Sequence, residues 1–204
     1  MERKSHWEKI YTTKAPTQVS WYQSDPAVSL DLIACTGVET TSHIIDVGGG
    51  ASMLVDVLLA RQFQNITVLD ISSAAINHAQ KRLGIHAKAV SWLEADITEV
   101  TLPQMSIDLW HDGAVFHFLT LASHRARYLQ TLKQSLKPGG HFIVATFALD
   151  GPTHCSGLEV VRYSPDTLHE ELGDSFDLIE SRRERHPTPS GTEQKFIYCC
   201  FRKQ

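Results

Sequence analysis

The sequence predicts an α/β fold: a mostly parallel sheet covered by helices on both faces and finished by an antiparallel hairpin. Three observations carry this. From about residue 43 to residue 147, short apolar runs alternate with amphipathic segments. Strands buried on both faces read as such unbroken runs, and alternation with helices gives a parallel sheet. The first run, Ile44-Ile45-Asp46-Val47, ends in an acid and breaks into Gly48-Gly49-Gly50. Near the end, two long strand-like runs, 176–183 and 194–202, flank the turn Pro187-Thr188-Pro189-Ser190-Gly191.

The elements follow in order. A short helix over 3–12 stops at Ala15-Pro16-Thr17, and Ser24-Asp25-Pro26 is a start signal for a helix running to about Cys35. Strands are expected at 43–47, 66–70, 89–93, 106–111 and 140–147, with helices at roughly 52–63, 73–83 and 123–136. A Gly- and Ser-containing loop, Asp150 to Leu158, precedes a helix over 165–172 and the hairpin. Ser52 is small and can cap the helix that follows the glycines. The segment Leu136-Lys137-Pro138-Gly139-Gly140 reads as a helix stop and a glycine-dependent reversal.

Composition narrows the function classes. The 204 residues fit one domain with an N-terminal extension, divided here at residue 40 into 1–40 and 41–204. A net charge of −4 gives no reason to expect nucleic-acid binding. No apolar stretch is long enough to span a bilayer, and Met1-Glu2-Arg3-Lys4-Ser5-His6 lacks a secretory apolar core. Cys35, Cys155, Cys199 and Cys200 have no metal-ligand spacing and read as reduced thiols of a cytoplasmic protein. Adjacent in a strand, Cys199 and Cys200 should face opposite sides of the sheet. The 11 histidines are scattered, so no metal site is expected, and none is assigned to His111, His117 and His124.

The glycine turn discriminates between nucleotides. A dinucleotide fingerprint needs GxGxxG, and from Gly48 its third glycine would fall on Met53, too bulky for close helix–strand packing. No Lys follows as in a phosphate-binding loop. What stands here is acid-x-Gly-x-Gly: Asp46, Gly48 and Gly50, with Gly49 between. Glycines let backbone approach a ligand closely. Asp70 closes the second strand in Val68-Leu69-Asp70-Ile71-Ser72, where a carboxylate can accept ribose hydroxyls. Glu94-Ala95-Asp96-Ile97 follows the third strand.

In this order and spacing, the motifs resemble those of the class I, seven-stranded S-adenosylmethionine-dependent methyltransferases, in particular small bacterial-type members. The resemblance covers the whole length, with the cofactor half better matched. It implies a Rossmann-like three-layer α/β/α sandwich whose last strand inserts antiparallel beside the fifth. The cofactor would be S-adenosylmethionine, leaving S-adenosylhomocysteine. Asp46, with Gly48, Gly49 and Gly50, would organise its amino-acid end, Asp70 and Ile71 the ribose, and Asp96 and Ile97 the adenine. Asp112 and Gly113 would lie near the methionine part. Ser52, where many members have a third glycine, also occurs in a branch related to protein-lysine methyltransferases.

An acceptor would bind at the carboxyl ends of the strands. Trp7 and Tyr11 share a helix face, and with Ser20-Trp21-Tyr22 they resemble the lid of two relatives. One is the group of citrate-synthase and elongation-factor lysine methyltransferases, the other that of small thiol and halide methyltransferases. By this resemblance 1–40 is a helical lid, and Trp21 and Tyr22 close over the cofactor. His117, after the fourth strand, is the candidate to touch the acceptor and, as a neutral imidazole, to take its proton. The loop from Phe147 to Tyr163 (His154, Cys155, Arg162) is a third candidate segment. Arg182, Arg183, Arg185 and His186 at the hairpin turn are a fourth, suited to an acceptor carboxylate or phosphate. The leading expectation is methyl transfer to a small-molecule thiol, amine or hydroxyl by a monomer or homodimer. The alternatives are a protein-lysine methyltransferase and a non-catalytic cofactor-binding partner or sensor.

Overall fold

Each apolar run becomes a strand because both its faces are covered. In the computed structural model, which describes residues 3–189 and 191–204, the strands are β1 (His43–Val47), β2 (Asn65–Asp70), β3 (Val90–Glu94), β4 (Ile107–Gly113), β5 (Leu136–Phe147), the two-residue β6 (His154–Cys155) and β7 (Leu158–Glu159), β8 (Phe176–Pro187) and β9 (Glu193–Lys203). Met1, Glu2 and the Ser190 of the expected hairpin turn lie outside the described residues. The sheet has seven strands in the order β3-β2-β1-β4-β5-β9-β8. β1, β2, β3, β4 and β5 run parallel, and β9 is antiparallel to both its neighbours. The expected fold class is therefore present, inserted antiparallel strand included.

The helices are α1 (Arg3–Thr13), α2 (Ala27–Thr36), α3 (Leu54–Ala60), α4 (Ser73–Leu83), α5 (Ala122–Ser135) and α6 (Pro165–Leu172). On one face of the sheet, α5 and α6 bury Tyr128, Leu132, Leu168 and Leu172 against Trp110, Phe142, Phe176 and Phe201. On the other, α2 and α3 bury Leu32, Ile33, Leu54 and Leu58 against Ile44, Val68, Ile143 and Phe147. Cys199 falls in the first cluster and Cys200 in the second, as strand alternation requires.

Local chemistry sets the ends. The Ser72 hydroxyl accepts the Ala75 N–H at 3.2 Å and starts α4, while Ser164 and Thr167 form a capping box before α6. α2 starts after Pro26, with no side-chain cap from Ser24 or Asp25. α3 is shorter than 52–63; the Leu54 N–H donates to Ser52 Oγ at 3.1 Å, and Gln62 turns left-handed at φ 66.

Two expectations are corrected. Leu136-Lys137-Pro138-Gly139-Gly140 is not a separate turn but the irregular start of β5. Gly139 takes φ 76 and the β4–β5 register slips between Ile107 and Leu109, so the glycines absorb a kink within the strand. β8 runs on to Pro187, so Arg182, Arg183, Arg185 and His186 lie in a strand rather than on a turn. Their side chains alternate between faces and do not converge.

Candidate functional site

The parallel strands end together, and the loops after β1, β2, β3 and β4 frame a cavity, the place where ligands bind in sheets of this kind. Adjacent to it is a second cavity over the β1 and β4 ends.

The floor is built by β1 and β4. Their register sets Asp46 beside His111. His111 Nδ1 donates to Asp46 Oδ1 at 2.7 Å, and its Nε2 meets Ser29 Oγ of α2 at 2.9 Å. The other oxygen of this buried carboxylate, Asp46 Oδ2, has no hydrogen-bond partner among the described residues. Buried carboxylate oxygens demand donors, so this atom is suited to a cation bearing N–H groups.

Each glycine of the turn is required for its own reason. Gly48 sits at φ 73 and donates its N–H to the Leu69 carbonyl at 2.7 Å. A Cβ on Gly49 would stand 2.1 Å from Asp46 Oδ2, and one on Gly50 2.7 Å from Asp70 Oδ2. The turn is thus pressed against both acids. Asp70 is held by backbone donors, Gly50 N–H on Oδ2 at 3.0 Å and Ser72 N–H on Oδ1 at 2.8 Å. Burial raises its pKa to about 6, opposed by these donors and assisted by the neighbouring Asp46. Ile71, Ile97 and Gly113 line the first cavity with Asp70 and Asp96.

Asp96 is already engaged. Its Oδ1 accepts from Thr98 N–H at 2.8 Å and Thr98 Oγ at 2.7 Å, and its Oδ2 pairs with Arg3 at 2.9 Å. Arg3 belongs to α1, which lies over the β2 and β3 ends. Glu8 accepts from Ser72 Oγ at 2.7 Å and Ser73 Oγ at 3.0 Å, adding a second clasp. The rings of this segment form a roof: Trp7 meets Trp21 edge-on at 5.6 Å and Phe118 at 4.9 Å, while Trp21 Nε1 donates to Tyr11 OH at 3.1 Å. Trp21 lines both cavities and Tyr22 only the second.

Asp112 departs from its expected place. It is 0 % exposed and lines neither cavity. Its Oδ2 accepts the Tyr128 hydroxyl at 2.6 Å and its Oδ1 the Val115 N–H at 2.6 Å, so it braces the turn after β4 from below. Burial raises its pKa to about 6. The arginines pair outward: Arg182 with Asp31 and Glu180, Arg183 with Asp150. His186 is buried against the Ser20 carbonyl at 2.9 Å. They are not assembled as an anion site.

His117 does line the first cavity, with Cys155 and Phe196 also in the lining. Its Nδ1 accepts the Phe147 N–H at 3.3 Å, its ring stacks on Phe147, and burial drops its pKa to about 3. Burial likewise pushes the Cys155 thiol up to about 11. Sequence reasoning missed Ser29, His111, Arg3 and Glu8. Only the His111 register, an inward residue facing an inward acid, left a trace, and it needs the strand pairing to be read. Among the described residues, no group of three His, Cys, Asp or Glu side chains can hold a metal, and no helix is long and apolar enough to cross a membrane.

Comparison with known proteins bears on the family and the fold. Residues 45–144 match the family described as a methyltransferase domain. An uncharacterized methyltransferase of Mycobacterium tuberculosis is 31% identical over 107 residues, 52% of this chain and 51% of that protein. The mouse eEF1A lysine and N-terminal methyltransferase is 22% identical over 149 residues, 70% of this chain and 21% of that protein. The chain thus spans about half or less of the curated relatives it matches. Among solved structures, one described for the conversion of a disulfide bond into a thioacetal group during echinomycin biosynthesis superposes with a TM-score of 0.80 at 14% identity, covering 98% of this chain and 93% of that one. The Burkholderia thailandensis 1,6-didemethyltoxoflavin-N1-methyltransferase, solved with 1,6-didemethyltoxoflavin and S-adenosylhomocysteine, gives 0.70 at 19% identity, covering 98% and 84%. These likenesses show a shared fold. With the acid-x-Gly-x-Gly turn and the seven-stranded sheet, the family match over residues 45–144 identifies a class I S-adenosylmethionine-dependent methyltransferase domain in this chain.

Proposed function

We propose that the chain transfers a methyl group from S-adenosylmethionine to a small-molecule acceptor in the cytoplasm. The observation that carries the acceptor class is the roof. Trp7, Tyr11 and Trp21 close over the cavity and interlock with Phe118, which favours a small ligand over a polypeptide segment. In this reading residues 1–40 act as a lid on a 41–204 domain.

The residues fit the cofactor. The unpartnered Asp46 Oδ2 suits its ammonium, and the glycine turn leaves no room for side chains where its backbone must approach. Asp46, Gly48 and Gly49 hold the amino-acid end beside Gly113, with Gly50 bracing Asp70. Asp70 and Ile71 take the ribose, while Asp96 and Ile97 take the adenine next to Arg3. Trp21 and Tyr22 cover the methionine part. Bound S-adenosylmethionine supplies a methyl activated on a sulfonium. The chain's own task is alignment and exclusion of water.

Incubating the protein with methyl-labelled S-adenosylmethionine and cell extract, then separating by size, tests this. Label is expected in the small-molecule filtrate. Label on a protein band would overturn the acceptor class and favour the lysine reading, which the eEF1A methyltransferase match supports. Tight cofactor binding with no label in either fraction would favour a non-catalytic role.

A further inference from the structure

His117 lies in the short 3₁₀ turn Phe116–Phe118 after β4 and is 1 % exposed. Three contacts immobilise its ring. It stacks on Phe147 with centroids 4.7 Å apart, meets Phe118 edge-on at 4.4 Å, and accepts the Phe147 N–H on Nδ1 at 3.3 Å. Its remaining polar atom, Nε2, is buried with no partner among the described residues, and the side chain lines the first cavity. We infer that His117 is a fixed Nε2–H donor to the methyl acceptor, and that the acceptor is a flat heteroaromatic compound whose nucleophilic atom is already unprotonated on entry. This rests on the small-molecule reading above and names its substrate class.

The tautomer carries the first half. An Nδ1 that accepts a hydrogen bond has no proton, so the neutral ring bears its proton on Nε2. Acting as a base would need a bare Nε2, and hence an Nδ1–H pointed at the Phe147 N–H, two donors face to face. Burial also holds the ring neutral. A base is therefore the one role this orientation disfavours, and a donor is the role it prepares.

The surroundings carry the second half. Of the other groups lining this cavity at its β4–β5 end, none takes up a proton readily; Asp112, at the end of β4, lies beneath the turn and outside the lining. Burial keeps the Cys155 thiol protonated, and the Tyr11 hydroxyl, raised by burial, is bound to Trp21. The carboxylates of this cavity, Asp70 and Asp96, stand at the β2 and β3 ends, across β1 from β4. A protonated amine would find neither a counter-charge nor a proton acceptor beside His117. The walls there are rings, Trp7, Trp21, Phe118 and Phe196, which suit a flat solute. The electron count closes without the protein taking a proton. The acceptor's lone pair forms the new bond to the methyl carbon. The pair of the broken sulfur–methyl bond returns to sulfur, and an anionic acceptor leaves neutral. The Nε2–H binds a carbonyl oxygen or ring nitrogen next to the attacking atom.

The test uses the full chain. Long-range ¹H–¹⁵N NMR of histidine-labelled protein should show His117 in the Nε2–H form, without titration between about pH 5 and 8. An Nδ1–H form overturns the donor role. With methyl-labelled cofactor, an acidic heteroaryl thiol such as 2-mercaptobenzothiazole should be methylated in preference to N-acetyl-lysine; the reverse preference overturns the acceptor class. His117→Phe should lower that rate on the order of 100-fold, the usual cost of one lost donor. His117→Gln, which keeps an N–H, should restore most of it. Equal loss in both variants, with S-adenosylhomocysteine affinity unchanged by calorimetry, overturns the donor role. If no compound in a cell extract accepts label, the underlying methyltransferase reading fails as well; if extract compounds are labelled but the tautomer or the preference is wrong, only this inference fails.

Discussion

Asp46 uses its two carboxylate oxygens differently, and the proposed cofactor site depends on that difference. One oxygen is committed to His111 and the other is left without a partner. Asp46→Asn should lower S-adenosylhomocysteine affinity by about tenfold or more, as expected for losing a hydrogen bond to a charged group; isothermal calorimetry measures it, and unchanged affinity would remove Asp46 from the site. Gly49→Ala is the sterically sharper change. Its methyl would meet Asp46 Oδ2 at 2.1 Å, so the carboxylate must move and binding should be lost while the fold persists by circular dichroism. His117 gives a pH prediction. Its pKa, lowered by burial from 6.5 to about 3, contributes stability above about pH 6.5 that drains away as pH falls towards 3. Asp70 and Asp112, raised from 3.8 to about 6, act with the opposite sign, losing stability as pH rises through that window. Comparing wild type with His117→Gln cancels the two acids. In urea melts at pH 7.5, 6 and 5, the wild-type advantage should shrink by roughly 1.4 kcal/mol per pH unit below 6.5. An advantage constant across that range would contradict a histidine kept neutral by burial.

At the scale of elements, α1 is the informative one. As a helix it was legible, because Trp7 and Tyr11 repeat at one turn and Pro16 ends the segment. Its clasps were not, because Arg3 and Glu8 act on Asp96 and on Ser72, partners more than sixty residues away in sequence. Arg3→Ala with Glu8→Ala should speed S-adenosylhomocysteine release about tenfold in stopped-flow tryptophan fluorescence, with little change in melting, since partly exposed pairs add only about 0–1 kcal/mol each. An unchanged release rate would mean that the roof stands without its clasps. The sheet was read almost to the residue wherever an apolar run met a cap or a glycine, as at β1 and α4. It was cut short where a strand carries charge: the run reads as ending at residue 183, and only pairing with β9 carries it on through Arg185 and His186 to Pro187. Asp112 was misplaced for a related reason, since alternation along β4 turns it towards Tyr128.

For the whole molecule, two apolar layers clamp one sheet, and the largest side chain of the α5–α6 layer is Trp110, fully buried with its Nε1 on the Tyr128 hydroxyl at 3.0 Å. Trp110→Ala should cost about 3–5 kcal/mol in urea unfolding, the range for large core truncations; a loss below about 1 kcal/mol would mean this layer is not packed as described. The strand order has a further consequence, for biosynthesis. β9 joins β5 to β8, yet it is the last strand of the sheet to leave the ribosome. Until residues 193–203 emerge, β5 exposes a bare edge along its length and β8 has no neighbour at all. Such edges invite pairing with other chains. The glycine turn and the acids around it can be synthesised and collapsed long before that, but the open side of β5 is covered only when β9 slides in between it and β8.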